Sequence, residues 1–143
     1  MLHSNLAQVI TTKILEQLGH LNPIAIYLFG SRAKNEERPD SDIDLAVLLP
    51  QGLSLNYLDR LCLIDELQDI AKCRVDLVAV NQVNIPLKFE IVHSGKVLFE
   101  ADFDARTDAE DIILRDYFDL EPMYRQNYQE IMEDVLGKKG WVI

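Results

Sequence analysis

The chain has 143 residues, a length that suits one domain with its own core, and 48% of them are hydrophobic. No apolar run approaches the ~20 residues of a membrane helix; the N-terminal "MLHSNLAQVITTK" lacks a signal peptide's charged start and long apolar centre, so a cytoplasmic location is expected. The formal net charge of −10 argues against direct nucleic-acid binding, because an acidic surface repels phosphate backbones.

In chain order, residues 5–18 place Leu6, Val9, Ile10, Ile14 and Leu18, with Leu15 beside them, at helical spacing. Gly19 and Asn22-Pro23 end that helix. "AIYLFG" (25–30) is a short apolar run closing on glycine and reads as a buried strand. Ser31 follows as a helix N-cap or the first residue of a tight turn. "NEERPDSD" (35–42) is polar, contains Pro39 and reads as a loop. "IDLAVLLP" (43–50) is a second strand ended by Pro50.

Residues 54–71 form an amphipathic helix with a stripe of Leu55, Leu58, Leu61, Ile64 or Asp65, Leu67 and Ile70. "RVDLVAV" (74–80) is a third strand. Residues 85–95 make a short helix, with Pro86 in its first turn and Gly95 past its end. "KVLFE" (96–100) is a fourth strand, expected at an edge. In the tail, 105–136, Ile113, Tyr117, Leu120, Tyr124, Tyr128, Ile131 and Val135 share one helical face. That stripe persists across Pro122 and predicts one kinked helix or two short ones. The expected fold is α/β in the α+β sense: a small mixed sheet of about four strands flanked by helices, with a helical C-terminal tail. Residues 1–143 read as a single domain, with the core over about 5–100 and the extension over about 105–136.

The chemistry is carried by "FGSRAKNEERPDSDIDLAV" (29–47) and by Asp76. Side chains alternate along a strand, so Asp42 and Asp44 point to one face, about 7 Å apart. Ile43, Leu45 and Val47 point the other way. Asp76 sits between Val75 and Leu77, again a carboxylate among apolar residues. If the second and third strands are neighbours, Asp76 lies at the ~5 Å inter-strand spacing from the pair. Clustered carboxylates repel and raise one another's pKa values, and a divalent cation removes that repulsion. Mg²⁺ takes oxygen ligands and combines a few carboxylates with substrate phosphates. Two such ions can clamp the attacking and leaving oxygens of a phosphoryl displacement. Upstream, Gly30 permits close approach of the backbone to a ligand. Ser31 and the N–H groups after it favour an anion, and Arg32 offers a fork of donors.

Each feature alone has an ordinary explanation. Gly30-Ser31 suits any strand-to-helix turn, Asp42 could cap a turn after Ser41, and Asp76 could sit at an edge or pair with Arg74. Asp44 is harder to explain away, because a mid-strand carboxylate is costly without a partner. The joint occurrence carries the reading. Elsewhere, His3, His20 and His93 are too separated for a ligand cluster, and Cys62 and Cys73 read as reduced structural thiols. Lys34 and Arg38 read as solvated loop charges before nucleotide contacts. The tyrosines at 117, 124 and 128, with Trp141, fit helix packing at least as well as a partner face. Residues 101–143 hold five basic and eleven acidic residues, an excess that maintains solubility or steers a basic protein.

Gly30-Ser31, ten residues, then Asp42-x-Asp44 resembles the G-S-x(10)-D-x-D signature of minimal nucleotidyltransferases in the DNA polymerase beta superfamily. More closely, "FGSRAKNEERPDSDIDLAVLL" is similar to the MntA family, the MNT-type antitoxins of HEPN/MNT toxin–antitoxin systems. The likeness is sharpest over 24–49 and 74–80; Asn35 stands where the family often has glycine, and asparagine tolerates the left-handed conformation. The resemblance implies a polymerase-beta-like fold and transfer of AMP from ATP, with Mg²⁺, onto a tyrosine of a partner HEPN toxin, an RNase. By position it makes Asp42 and Asp44 metal ligands. It makes Asp76 the third carboxylate, ligating metal and taking the tyrosine proton. It assigns the triphosphate to Gly30 and Ser31, with Arg32 as helper. Two alternatives remain: a nucleotidyltransferase acting on a small molecule such as an aminoglycoside, and an antitoxin acting by binding alone.

Overall fold

A computed structural model describes residues 2–33 and 41–138, with side chains as far as 134. Most of the expected 35–42 loop lies outside these residues, as do Lys34, Asn35, Arg38, Trp141 and the side chain of Val135. Helix α1 (Ser4–Leu18) is followed by strands β1 (Ala25–Phe29) and β2 (Ile43–Leu48). Helix α2 (Tyr57–Ala71), strand β3 (Val75–Ala79), helix α3 (Ile85–Ser94), strand β4 (Lys96–Glu100) and helix α4 (Phe103–Lys138) complete the order. The sheet order is β3-β2-β1-β4. β1 runs antiparallel to β2 and to β4, and β2 runs parallel to β3, so the sheet is mixed, as expected. β4 is an edge strand, and so is β3.

Alternation along the strands builds two cores. On one face Ile43, Leu45 and Val47 of β2 join Val75 and Leu77 of β3 against Ile10 and Ile14 of α1 and Leu63 and Leu67 of α2. On the other face Tyr27, Phe29, Ala46 and Leu48 pack with Ile91 of α3 and Ile113 of α4. Within the same strands Asp44 and Asp76 fall on this second face.

The helix stripes differ in detail from the expectation. Val9 is exposed, and α1 buries Ile10, Ile14 and Leu18. α2 begins at Tyr57 because the Asn56 side chain caps it, accepting from the N–H groups of Leu58 and Asp59. Leu55 is therefore buried from before the helix. Leu58 and Leu61 are 68% and 40% exposed, and the buried line is Leu63 and Leu67, one turn apart. The tail is one helix with Pro122 inside it. Its stripe is buried at Ile113, half-buried at Tyr117 and Tyr124, and exposed at Tyr128 and Ile131.

α4 is fastened where it starts. The buried Tyr27 hydroxyl donates to Glu110 at 2.8 Å. Arg106 donates to both Glu100 of β4 and Glu110. Burial and the Glu110 charge push the Tyr27 phenol well above its usual range, so it stays a protonated donor.

The two α2 leucine sets give opposite expectations. Leu67→Ala is expected to cost about 2–5 kcal/mol of unfolding free energy. Leu58→Ala is expected to change it by no more than about 0.5 kcal/mol. Urea denaturation of the two variants measures both.

Candidate active site

β1 leaves the sheet at Phe29, which pairs with Asp44 of β2. The next residue, Gly30, has φ of +75°, the left-handed region that glycine enters freely. A Cβ there would lie 2.4 Å from Asp44 Oδ2, so the backbone of the turn sits directly against that carboxylate. The Gly30 carbonyl accepts from the Ala33 N–H at 3.2 Å, which closes a tight turn around Ser31. Of the two readings for Ser31, the turn is the one formed. Arg32 donates through Nε and Nη2 to the Ser41 carbonyl, at 3.3 and 2.9 Å. It ties the two ends of the intervening segment together, and those donors are engaged there.

Asp44 of β2 pairs with Asp76 of β3 in register. Gly30, Asp44 and Asp76 therefore line up across one end of three adjacent strands, with Asp42 one residue before β2. Asp44 is half-buried, whereas Asp42 and Asp76 are exposed. Burial raises the Asp44 pKa above the usual carboxylate range, and the charges of Asp76, Asp42 and Glu90 raise it further. Glu90 comes from α3, and the sequence reading missed it. In sequence it is one acid on a short helix, and only the folding of α3 over this end of the sheet brings it near.

Asp76 is held from the other side. Its Oδ1 accepts from Arg60 Nη2 at 2.9 Å and from the Leu77 N–H at 2.9 Å. The ion-pair partner is thus Arg60 of α2, not Arg74. Arg60 Nε also donates to the Leu77 carbonyl, and Gln68 accepts from the Val75 N–H at 3.2 Å. Side chains of α2 thereby satisfy the outward edge of β3, which no strand covers. The resulting hollow, about 490 Å³, is lined by Asp42, Asp44, Asp76, Arg60, Gln68 and Arg74, together with apolar neighbours.

The donor set suits a hard divalent cation: three carboxylates at one strand end, with the pKa of Asp44 raised by burial and then by its neighbours' charges. Among the described residues, however, no three such side chains already converge on one point. Asp76 Oδ1 is already engaged by Arg60 and by the Leu77 N–H. Asp42 and Asp44 could therefore hold an ion, with Asp76 able to join them on releasing Arg60.

Two expectations follow from this geometry. Gly30→Ala places a methyl group on Asp44 Oδ2 at a strained φ. It is expected to cost at least ~1 kcal/mol in stability and to displace that carboxylate, which thermal denaturation and a divalent-cation titration would register. A group with a raised folded-state pKa favours folding only while protonated. The Asp44 contribution is therefore lost as pH rises through that raised value. Metal-free Asp44→Asn is expected to melt above the wild type at pH 7, and the gap should close below about pH 4. A melting-temperature series against pH checks this.

Comparison with known proteins agrees with this geometry. Residues 11–104 match the family described as polymerase beta, nucleotidyltransferase. A protein of Methanocaldococcus jannaschii, provisionally named a protein adenylyltransferase, is 38% identical over 68 residues, spanning 48% of this chain and 71% of that relative. A second, similarly named protein of that organism is 34% identical over 74 residues, spanning 52% and 72%. A chain from a toxin–antitoxin structure with AMP-PNP superposes with a TM-score of 0.66 at 27% identity, covering 87% of this chain and 97% of that one. Another comes from a complex of a tri-AMPylated Shewanella oneidensis HEPN toxin with its MNT antitoxin. It gives a TM-score of 0.63 at 25% identity and covers 91% and 98%. The resemblance read from Gly30-Ser31 and Asp42-x-Asp44 is thus matched along nearly the whole chain, and the chain belongs to the polymerase beta nucleotidyltransferase family.

Proposed function

We propose that this chain is an antitoxin enzyme that transfers AMP from ATP onto a tyrosine of a HEPN-domain RNase partner and so silences it. The whole chain serves as one nucleotidyltransferase domain in this reading. The observation that carries it is the in-register pairing of Asp44 with Asp76 beside a turn in which Gly30 touches the Asp44 carboxylate. The similar toxin–antitoxin structures support the choice of partner and nucleotide.

The residues divide the work. The Gly30–Ser31 turn brings backbone N–H groups and a hydroxyl to the triphosphate. Asp42 and Asp44 would hold Mg²⁺, which when bound neutralises phosphate charge and favours the ionised attacking oxygen. Asp76, once parted from Arg60, stands on the acceptor side. A tyrosine hydroxyl has a pKa of ~10, so its attack on the α-phosphorus benefits from a carboxylate that takes the proton. Pyrophosphate leaves. Most of the acceleration comes from positioning and charge neutralisation, as in other phosphoryl transfers.

The exposed Tyr128 and Ile131 on α4 favour direct docking to a protein over a small-molecule acceptor. The test is intact-mass spectrometry of the cognate HEPN partner incubated with this protein, ATP and Mg²⁺. The expected result is a gain of one or more AMP masses, reduced about a thousandfold or more in rate by Asp42→Ala/Asp44→Ala. An unmodified partner that is still inhibited stoichiometrically would show neutralisation by binding alone.

A further inference from the structure

Two guanidiniums in the active-site hollow have no part in nucleotide binding as derived above. Across the strand ends the order is Gly30 after β1, Asp44 on β2 and Asp76 on β3. Beyond Asp76 comes Arg60, reaching over from α2, while Arg74, the residue before β3, lies level with Asp42, its carbonyl accepting from the Ile43 N–H at 2.9 Å. The hollow is lined by both arginines and by the three carboxylates, while Gly30 and Ser31 are not among its walls. Both arginines thus lie on the β3 side of Asp42 and Asp44, and the triphosphate turn lies on the β1 side.

The donor count shows capacity left over. Arg60 uses Nε on the Leu77 carbonyl and Nη2 on Asp76. Its Nη1 makes no hydrogen bond among the described residues. Arg74 is exposed, and its side chain makes no hydrogen bond or ion pair among the described residues. The lining has three carboxylates against two guanidiniums. A divalent cation on Asp42 and Asp44 offsets the charge of that pair, which leaves the guanidiniums free to take an anion on the Asp76 side.

A plain tyrosine acceptor brings no anion to that side. An acceptor that has already received AMP does, because its new phosphodiester carries a negative charge that a guanidinium fork matches. We propose that Arg60 and Arg74 form a phosphate subsite on the acceptor side, which takes the phosphodiester of a tyrosine-linked AMP and lets transfer continue past the first unit. This inference rests on the protein-adenylylation reading. In the second transfer a ribose hydroxyl of the attached AMP attacks the α-phosphorus of ATP. A new oxygen–phosphorus bond forms, and the bond from the α-phosphorus to the pyrophosphate oxygen breaks. The bonding pair leaves with pyrophosphate, and the hydroxyl proton passes to Asp76.

Arg74→Gln is the clean variant, since Arg60 also covers the β3 edge. With the cognate partner, ATP and Mg²⁺, an intact-mass time course reads the first and second additions separately. The expected result is that Arg74→Gln lowers the ratio of second to first rate about tenfold. Calorimetry with Mg²⁺ supplies a readout independent of turnover, using a tyrosine peptide with and without a 5′-AMP ester. Wild type is expected to prefer the adenylylated peptide about tenfold, and Arg74→Gln to lose that preference. Equal loss of both rates would assign Arg74 to the nucleotide and overturn the subsite. So would unchanged rates, equal binding of the two peptides, or a wild type that stops after one AMP. A wild type that adds no AMP would instead overturn the adenylylation reading on which the subsite stands.

Discussion

The repulsion among carboxylates at the end of β2 and β3 is the constraint around which the rest of the site is arranged. Asp44 and Asp76 are side by side in a parallel register, Asp42 is one residue outside the strand, and Glu90 faces them from α3. Folding half-buries Asp44 and brings these charges together at a cost, and both effects, burial first, raise its pKa. Hydrophobic burial elsewhere offsets that cost: Ile43, Leu45 and Val47 alternate with the acids and anchor the same strand in the opposite core. A strand whose one face is fully apolar cannot slip by a residue without burying the acids. The register that creates the repulsion is thus fixed by the core.

Two devices manage the charge in this state. Gly30 gives up its side chain so that the β1 turn passes against Asp44, leaving backbone rather than a methyl group beside the carboxylate. Arg60 compensates Asp76 while also completing the hydrogen bonding of the exposed β3 edge. Asp42 and Asp44 face a hollow with no cation of the described chain bound to them, and Asp76 is turned toward α2. A bound divalent ion would relieve the first pair and compete with Arg60 for the third carboxylate. Ligand binding then stabilises the fold as well as preparing it for chemistry.

Much of this was legible in the sequence because the signals were periodic or chemically unusual. Alternation fixed the faces of β2 and β3, and a mid-strand Asp44 demanded a partner. Asp76 could be placed beside it once the two strands were taken as neighbours, which the register bears out. What the sequence hid depends on side chains that meet only in three dimensions. Arg60 lies sixteen residues from Asp76 on a helix, and the sequence offers instead an edge position or the nearer Arg74 as the explanation for Asp76. Glu90 gave no signal among many surface acids. The α2 stripe was misjudged at Leu58 and Leu61 because leucine spacing alone permits two faces; the Asn56 cap and packing on the sheet select Leu63 and Leu67. The Tyr27–Glu110 bond, across 83 residues, had no local signature.

The central claim is that Asp42 and Asp44 bind a divalent ion together with the nucleotide and that Asp76 leaves Arg60 to join them. A crystal structure with Mn²⁺ and a non-hydrolysable ATP analogue tests it most directly, because Mn²⁺ is located by its anomalous scattering. The expected result is metal density on Asp42 and Asp44, triphosphate on the Gly30–Ser31 turn, and a broken Asp76–Arg60 pair. Nucleotide bound away from this strand end, with the carboxylates free of metal and Asp76 still on Arg60, would contradict it.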